Sequence, residues 1–278
     1  MSAPTGTAGA PLMALGFVTF GAKPSLVRRL EVAHAAGYRL YVFDNSPELA
    51  LVRHACRQLA TPRYLTCGRN AGLGVGLASV CSQAYYDGFA ALLFFDQDTV
   101  FDRRTLDFIS GFLATKPEVG RTHSAVMFNA KRVGEATATD RFAHRDLLVA
   151  ISSGSLFYLE NLRRIGWHNP TYFVDGVDYE FCLNSSSHRL LIGECSTTPG
   201  FDHETEQADH TTSVFGQRRR VRRYSWARMT DTAVASTRLL GAALMRGNGR
   251  FAYAISRLLA GYLWWQLVSR ILRTPTRR

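Results

Sequence analysis

The sequence of 278 residues has few cysteines and no long apolar run, and both absences limit the kinds of protein it can encode. The five cysteines are odd in number and scattered, and no two are spaced as Cys-x-x-Cys. This usage argues against a disulfide framework and favours a reducing compartment. No apolar stretch reaches the roughly 20 residues of a membrane-spanning helix, and the start of the chain lacks the secretory-signal pattern. We therefore expect a cytosolic protein.

Acidic residues are nearly missing from the C-terminal part of the chain. Residues 218–278 carry 14 Lys and Arg residues and one acid, Asp231, whereas residues 1–217 carry 19 basic and 21 acidic residues. The net charge of +11 is therefore concentrated in a basic tail. Such asymmetry indicates an anionic partner, either a membrane surface or a nucleic acid. Because no nucleic-acid-binding motif accompanies the arginines, we expect a membrane surface and no nucleic acid.

The basic tail, residues 218–278, is predicted to form amphipathic helices. A helix pattern runs to Met245, a break follows at 247–249, and apolar residues recur at helical spacing in the second helix. Trp264 and Trp265, flanked by arginines, suit a membrane interface. We expect the tail to dock peripherally on the cytosolic face of an anionic membrane. Packing on the body of the protein or on a second copy, as a homodimer, is the alternative for the same helices.

Residues 12–217 alternate between strand and helix patterns, which predicts an α/β fold. This β-α-β order calls for a parallel sheet with right-handed crossovers. Residues 1–11 are predicted to be a disordered leader, and 218–278 a helical appendage. Strands are predicted at 12–20, 38–43, 63–66, from 92, 147–151 and 189–194, and helices at 24–36, 48–59, 77–87, 105–115, 160–165 and from 177.

The apolar strand from Leu92 ends abruptly in two carboxylates, Asp96 and Asp98. Open α/β sheets bind ligands at the carboxyl ends of their strands, and residues two apart in an extended segment point the same way. Two neighbouring carboxylates repel each other unless a positive charge lies between them. Hard divalent cations such as Mg²⁺ take a few carboxylates together with substrate phosphates, so the pair is a candidate site for such an ion. A solvated turn is the alternative, since Asp is common there.

Two further turns follow predicted strands. Asp44 lies at the end of the second strand, where it can accept a hydrogen bond from a nucleotide base or ribose or close an Asx turn. The Gly-rich stretch 68–76 follows the third strand but matches neither the Walker A loop nor G-x-G-x-x-G. It predicts either close backbone approach to a ligand at a helix start or a flexible turn.

A second acidic cluster, formed by Asp175, Asp178 and Glu180, is bracketed by aromatic residues. If a helix begins near Val177, Asp178 and Glu180 lie in its first turn, where the helix dipole favours carboxylates. A carboxylate in an apolar pocket has a raised pKa and can act as a general base. Ordinary charge at a helix start is the alternative. Further along, His203 lies beside acidic residues and is either a metal ligand or a surface-loop histidine.

Taken in order, these segments resemble glycosyltransferase family 2, with the GT-A fold, and most closely its rhamnosyltransferase-like branch. The resemblance runs from about residue 12 to residue 203. Each motif alone is weak, whereas the ordered set is strong. The matching segments are Val42-Phe43-Asp44-Asn45, Asn70-Ala71-Gly72-Leu73-Gly74, Phe95-Asp96-Gln97-Asp98, Ser152-Ser153-Gly154-Ser155-Leu156, the run from Phe173 to Leu183, and His203.

The resemblance implies a role for each matched residue. Asp178 falls where the family keeps its catalytic base, and Glu180 is close by. Asn184 and Met229 depart from the family, which usually has Arg and Asn at these positions. The remaining implied roles are nucleotide-sugar binding by Asp44, Asn70, Gly72 and Asp96; acceptor binding by Ser153, Gly154, Ser155, Trp167 and Asp175; and metal binding by Asp96, Asp98 and His203.

The resemblance further implies a GT-A type, Rossmann-like sheet that is mixed and mostly parallel, in a metal-dependent inverting hexosyltransferase. The expected donor is dTDP-L-rhamnose, and the expected acceptor is a hydroxyl of a lipid-linked or polymeric glycan in cell-surface glycan synthesis. Bound Mn²⁺ or Mg²⁺ would neutralise charge on the departing nucleotide diphosphate. A family 2 enzyme that uses a UDP-hexose or UDP-galactofuranose is the first alternative. A non-enzymatic, basic membrane- or nucleic-acid-binding protein is the second.

Overall fold

The computed structural model describes residues 13–60, 62–128, 141–204, 210–214, 217–221 and 223–271. The chain divides into two compact units, Met1–His203 and Glu204–Arg278. The leader predicted at residues 1–11 lies outside the described residues.

The first unit alternates strands and helices as the sequence predicts. A single 3₁₀ turn, Pro47–Leu49, precedes the second helix. The strands are β1 (Met13–Thr19), β2 (Leu40–Asp44), β3 (Arg63–Leu65), β4 (Ala91–Asp96), β5 (Thr99–Val100), β6 (His123–Met127), β7 (His144–Leu147), β8 (Ser155–Tyr158), β9 (Leu191–Cys195) and β10 (Asp202–His203). The helices are α1 (Pro24–Ala35), α2 (Leu51–Leu59), α3 (Gly72–Tyr86), α4 (Arg103–Thr115), α5 (Val119–Thr122), α6 (Leu159–Ile165) and α7 (Val177–Ser187).

Eight of these strands form one sheet in the order β3-β2-β1-β4-β8-β6-β9-β7. Pairing is parallel from β3 to β4 and between β6 and β9, and it is antiparallel where β8 and β7 join. The predicted mixed, mostly parallel sheet is therefore confirmed. Strands β1 and β4 lie at its centre with buried side chains, and the carboxyl end of β4 carries the acidic segment.

Four buried aromatic rings pack behind the end of β4. The rings of Phe95 and Phe101 stack with centroids 4.4 Å apart. Phe95 also meets Phe17 at 5.8 Å and Phe201, edge-on, at 5.1 Å. Aromatic pairs of this kind contribute about 0.5–1.5 kcal/mol each beyond their burial. The end of β4 and the segment after it therefore rest on a closely packed apolar base.

The Gly-rich stretch begins a helix and is not a flexible turn. Helix α3 starts at Gly72, whereas the sequence predicted a start at residue 77. A Cβ atom added to Gly74 would lie 2.5 Å from the Tyr172 carbonyl oxygen, and one added to Gly76 would lie 2.7 Å from the Val18 side chain. The glycines therefore let α3 lie against β1 and the segment around Tyr172, so the flexible-turn interpretation is wrong for this part of the stretch.

The strand predicted at residues 147–151 is also wrong. In the structure β7 ends at Leu147, the first residue of this segment, β8 begins only after the segment, and Ile151 is exposed. The backbone turns here because Gly154 adopts a φ of +75°, a conformation that glycine reaches without steric cost. The Gly154 N–H then donates to the Phe94 carbonyl oxygen at 2.8 Å, which attaches the turn to β4.

The second unit contains a β-hairpin and two long helices. The hairpin consists of β11 (His210–Val214) and β12 (Gln217–Val221), which the sequence did not predict, and the helices are α8 (Trp226–Met245) and α9 (Gly249–Ile271). The Ser225 side chain caps α8 by accepting the Arg228 N–H at 3.2 Å. The two predicted helices are thus confirmed. Within the described residues, no helix combines the length and apolar character needed to cross a bilayer.

The close approach of α3 gives a test of the first unit. Gly74→Ala should lower the free energy of unfolding by about 1–3 kcal/mol because the added methyl group meets backbone oxygen atoms. Gly241→Ala in α8 is the matched control, since its added Cβ meets nothing within 4 Å. Alanine is favoured over glycine in a helix by about 1 kcal/mol, so the control should be neutral or stabilising. Denaturant unfolding followed by circular dichroism measures both, and a stabilising Gly74→Ala would contradict this packing.

Candidate active site

The two carboxylates after β4 lie in a turn that neighbouring elements hold in place. Asp96 ends β4, and Asp98 precedes β5. Between them, the Gln97 side chain accepts the Phe20 N–H at 2.9 Å. The Gln97 carbonyl oxygen accepts a hydrogen bond from the Arg29 guanidinium of α1. The turn is therefore tied both to the end of β1 and to α1.

The short pairing of β5 with β10 brings His203 to Asp98. Thr99 and His203 are opposite each other in this antiparallel pair. The His203 Nδ1 atom lies 3.9 Å from Asp98 Oδ1 and 3.4 Å from Thr99 Oγ1. Because backbone pairing holds the imidazole beside the carboxylate, His203 is part of the acidic site and not an isolated loop histidine.

Asp178, in the first turn of α7, is a third carboxylate of the site. The Ser152 N–H donates to its Oδ1 atom at 3.2 Å, and the Ser152 hydroxyl donates to the same oxygen. Burial raises the pKa of Asp178 above its ordinary value and Asp175 raises it further, while the bonds from Ser152 act in the opposite direction. A carboxylate that is oriented through one oxygen and has a raised pKa is suited to accept a proton.

Asp96 links the two acidic segments electrostatically. Burial raises the pKa of Asp96 to about 7, the charges of Asp178 and Asp98 add to the shift, and His203 opposes it. Asp96 and Asp178 each keep some accessible surface, with protein atoms around the rest. The fold thus brings together carboxylates that are far apart in the sequence, and a cation among them would relieve their repulsion.

The donor atoms fit a divalent cation that takes part of its coordination from a ligand. Among the described residues, no group of three or more His, Cys, Asp and Glu side chains is arranged to hold a metal ion by itself. Asp98 and His203 nevertheless place an oxygen and a nitrogen 3.9 Å apart, near the Asp96 carboxylate. Mg²⁺ commonly takes one or two carboxylates plus substrate phosphate oxygens, so this donor set fits such an ion.

Both carboxylate oxygens of Asp44 accept hydrogen bonds from the protein. It is 1% exposed. Its Oδ1 atom accepts the Ser46 N–H at 2.9 Å and the Thr19 hydroxyl at 3.3 Å, and its Oδ2 atom accepts the Tyr64 hydroxyl at 3.0 Å. The bond from Ser46 has the geometry of an Asx turn. A nucleotide base could reach this carboxylate only by displacing one of these donors, and Tyr64 is the most accessible of them.

A cavity of about 500 Å³ opens beside Tyr64, between α2 and β3. The Arg53 guanidinium lies over the Tyr64 ring, 5.7 Å from its centroid. Burial raises the pKa of the Cys56 thiol to about 12, so this cysteine is not a reactive thiolate at neutral pH. The lining residues are Arg53, Cys56, Arg57, Ala60, Pro62, Tyr64 and Thr66.

Asn70 and Gly72 shape the start of α3. The Asn70 side chain is exposed, and its Oδ1 atom accepts the Gly72 N–H at 3.1 Å. Gly72 has a φ of +86°, and a Cβ atom there would lie 2.4 Å from the Phe173 carbonyl oxygen. The close backbone approach at this helix start is between two segments of the chain, whereas the sequence predicted an approach to a ligand. Whether a ligand also lies here stays a prediction.

The serine-rich turn before β8 is joined to the acidic site by hydrogen bonds. The Ser153 hydroxyl accepts the Asp96 N–H at 3.2 Å and shares a hydrogen bond with the Thr99 hydroxyl at 2.7 Å. The Ser155 hydroxyl donates to the Ile151 carbonyl oxygen at 2.6 Å. Both serine side chains are buried. In the described structure Ser153 therefore holds the β4–β5 turn, whereas Ser155 bonds within the turn before β8. The role of both serines toward an acceptor stays a prediction.

Three more of the predicted site residues differ in their surroundings. They are Glu180, Asp175 and Trp167. Glu180 is buried in α7. Asp175 is half-buried and close enough to Asp178 to raise the pKa of that residue. Trp167 has a φ of +66°, and its ring packs against Tyr85 of α3 with centroids 5.7 Å apart. Asp175 is thus electrostatically linked to the acidic site, whereas the ring contact of Trp167 is with α3.

Three residues of the site were not predicted from the sequence: Arg29, Ser152 and Tyr64. Arg29 had a signal that could be read, because it lies at helical spacing among the buried positions of α1, where a charged residue is unusual. Ser152 had a weaker one, as the first serine of a quoted motif. Tyr64 had no sequence signal beyond its place in a short strand.

The sequence matches no protein-family model. No curated protein matches it either. Solved structures do share its fold. S. aureus TarS 1–349 aligns over 91% of this chain and 70% of its own, with 13% identity and a TM-score of 0.55. The complex of TarS 1–349 with UDP-GlcNAc aligns over 91% of this chain and 71% of its own, with 11% identity and a TM-score of 0.54.

GalNAc-T7, crystallised with UDP, GalNAc and Mn²⁺, is a second structure with this fold. It aligns over 71% of this chain with 9% identity and a TM-score of 0.55. The protein described here spans only 44% of the GalNAc-T7 chain and 36% of a longer TarS chain. At these identities the comparisons establish the α/β fold, and they leave the activity to be argued from the site.

The raised pKa of Asp96 predicts how the stability of the metal-free protein depends on pH. The folded state holds this proton up to about pH 7, whereas the unfolded chain releases it near pH 4. The free energy of unfolding should therefore decrease as the pH rises between these values. Asp96→Asn removes the effect and should raise the free energy of unfolding at pH 8 by about 1 kcal/mol or more, measured by denaturation in EDTA.

Asp102→Asn is the matched control for this experiment. Backbone and side-chain hydrogen bonds from Thr105 lower the pKa of Asp102, so its charge stabilises the fold at pH 8. Asp102→Asn should therefore be no more stable than the wild type at pH 8. An unchanged pH profile in Asp96→Asn would contradict the crowding of carboxylates described here.

Adding Mn²⁺ at pH 8 should stabilise the wild-type protein and have little effect on Asp98→Ala.

Proposed function

We propose that this protein is a metal-dependent inverting glycosyltransferase. The observation that carries the proposal is the convergence of Asp96, Asp98 and Asp178 at the carboxyl end of β4, with His203 beside Asp98. The fold is shared with TarS and GalNAc-T7, which are glycosyltransferases. Both were crystallised with a UDP nucleotide or a UDP-sugar, and GalNAc-T7 also with Mn²⁺.

Asp178 is the proposed catalytic base. An acceptor hydroxyl attacks the anomeric carbon of the donor sugar on the face opposite the nucleotide diphosphate. A new carbon–oxygen bond forms while the bond to the diphosphate oxygen breaks, and the hydroxyl proton passes to the Asp178 carboxylate. Ser152 holds this carboxylate through Oδ1, and burial raises its pKa, so it is a stronger base than an exposed aspartate. The charge of Asp175 raises the pKa of the base further. Glu180, two residues along α7, is the second proposed catalytic carboxylate.

Asp98 and His203 are the proposed protein ligands of the cation, with Asp96 beside them. A bound Mg²⁺ or Mn²⁺ would stabilise the negative charge of the departing diphosphate. Arg29, Gln97 and Ser153 hold the turn that carries both carboxylates. Their contribution is to position the carboxylates before a ligand arrives, which reduces the cost of reorganisation during the reaction.

For the donor we keep dTDP-L-rhamnose as the first candidate, on the motif resemblance to the rhamnosyltransferase-like branch. Asp44, Asn70 and Gly72 are the proposed residues of the nucleotide cleft. A UDP-sugar, such as a UDP-hexose or UDP-galactofuranose, is the second candidate, and the UDP ligands of TarS and GalNAc-T7 favour it. Because Tyr64 occupies Asp44 Oδ2, either base would have to displace its hydroxyl to bind this carboxylate.

The proposed acceptor is a hydroxyl of a lipid-linked or polymeric glycan, bound near Ser153, Gly154, Ser155, Trp167 and Asp175. A peripheral position on the cytosolic face of a membrane, with or without homodimer formation through the basic tail, agrees with such an acceptor. The rival proposal is a non-enzymatic basic protein whose acidic cluster is structural. That rival predicts no nucleotide binding and no effect of a divalent cation.

Donor turnover separates the role of Asp178 from that of the cation site. Asp178→Asn should slow nucleotide-diphosphate release from dTDP-L-rhamnose or a UDP-sugar by about 100-fold or more, since general bases contribute on that scale. Donor affinity should change by less than about threefold, because Asp178 acts on the attacking hydroxyl. Steady-state release assays and equilibrium titration measure the two quantities.

The matched control is Asp107→Asn, a carboxylate on the exposed face of α4 that should affect neither quantity. Equal losses of turnover and affinity in Asp178→Asn would remove Asp178 from the role of base. Full turnover in that variant would do the same.

A further inference from the structure

Helix α9 has an exposed stripe along one face. Its members recur every three or four residues, which places them on one side of a helix. Tyr253 is 69% exposed, Trp264 54%, Leu267 43% and Ile271 78%. The first and last residues of the stripe are 18 positions apart, or about 27 Å along the helix. The stripe residues are Tyr253, Arg257, Ala260, Trp264, Leu267 and Ile271.

The stripe is separate from the face that α9 uses to fold. Phe251 and Ile255 are buried, and α9 packs against α8. Gln266 is buried as well, and its Oε1 atom accepts the Tyr224 N–H at 3.2 Å and the Arg270 guanidinium at 2.9 Å. The helix therefore already has a complete internal face. The aromatic and aliphatic residues of the stripe are additional apolar surface of the kind that marks an interaction site.

The charges around the stripe select an anionic partner. Residues 226–271 carry six arginines and a single acidic residue, Asp231. Two of the arginines, Arg250 and Arg257, share the face of the stripe by their helical positions, and at the turn between α8 and α9 the side chains of Leu244 and Met245 are also exposed. Basic charge together with exposed Trp and aliphatic side chains is the pattern of a helix that lies in a membrane interface.

We infer that the α9 stripe docks on the surface of an anionic lipid bilayer. In this arrangement α9 lies parallel to the membrane plane, Trp264, Leu267 and Ile271 enter the boundary between headgroups and acyl chains, and the arginines contact lipid phosphates. The inference rests on the second unit alone and is independent of the transferase proposal.

Charge also argues against two other occupants. A second copy placed symmetrically on the stripe would bring arginines of one copy toward arginines of the other, which like-charge repulsion disfavours. A nucleic-acid backbone would satisfy the arginines but would leave Trp264, Leu267 and Ile271 without an apolar partner. A bilayer interface offers phosphate and hydrocarbon side by side.

The test is co-sedimentation of the full chain with lipid vesicles. Binding is expected with phosphatidylglycerol–phosphatidylcholine vesicles and should be at least about tenfold weaker with phosphatidylcholine alone or at high salt. The Trp264→Ser/Leu267→Ser double variant should bind anionic vesicles about tenfold more weakly or worse. Tyr86→Ser is the matched control, because Tyr86 is a highly exposed aromatic residue of α3, outside the second unit, and it should bind like the wild type.

Two further measurements do not depend on the folding of the double variant. Anionic vesicles should shift the tryptophan emission of the wild type to shorter wavelength, and the shift should shrink in Trp264→Phe. Arg257→Glu changes an exposed position and should weaken binding severalfold.

Four outcomes would overturn the inference. The first is no binding of the folded wild type to anionic vesicles, and the second is equal binding by the double variant. The third is a concentration-dependent dimer that the double variant abolishes. The fourth is binding to RNA or DNA that the arginine variant weakens while vesicles are ignored.

Discussion

Mutual repulsion among buried carboxylates is the constraint that the first unit has to satisfy. The end of β4, the start of α7 and the β5–β10 pair bring Asp96, Asp98 and Asp178 together with His203. Burial, followed by the charges of Asp178 and Asp98, raises the pKa of Asp96 to about 7. A structure that served stability alone would separate these charges. The aromatic base behind β4 and the hydrogen bonds around the turn supply the stabilisation that holds them in place, and a cation with its diphosphate would turn the repulsion into binding.

The elements of this arrangement could be predicted from the sequence where their signals are local. Apolar runs located β1 and β2, and helical spacing of apolar residues located α1, each to within a few residues. The abrupt end of an apolar run at Asp96 identified the carboxyl edge of the sheet. The ordered motifs also led to the mixed sheet. Glycine was misread, because its spacing looks the same in a flexible turn and in a helix that must lie close to its neighbours, as Gly74 does beneath the Tyr172 carbonyl.

The remaining features depend on contacts between distant segments, which local patterns do not record. Nothing near Tyr64 predicts that its hydroxyl meets Asp44, and nothing near Ser152 predicts that it orients Asp178. The pairing that brings His203 to Asp98 joins two strands of two residues each, too short to leave an alternating pattern. In the second unit, the helices and their charge were readable, whereas the exposed stripe of α9 became visible only once the buried face was known.

Calorimetric titration of the purified protein with dTDP, UDP and GDP, each with and without Mn²⁺, shows whether the acidic site binds a nucleotide together with a cation. We expect nucleotide binding that needs the divalent cation and is lost in Asp98→Ala. We expect dTDP to be preferred if the donor is a rhamnose nucleotide, and UDP to be preferred if the donor is a UDP-sugar. Binding of no nucleotide, in the presence or absence of Mn²⁺, by protein whose fold is verified would contradict the transferase assignment.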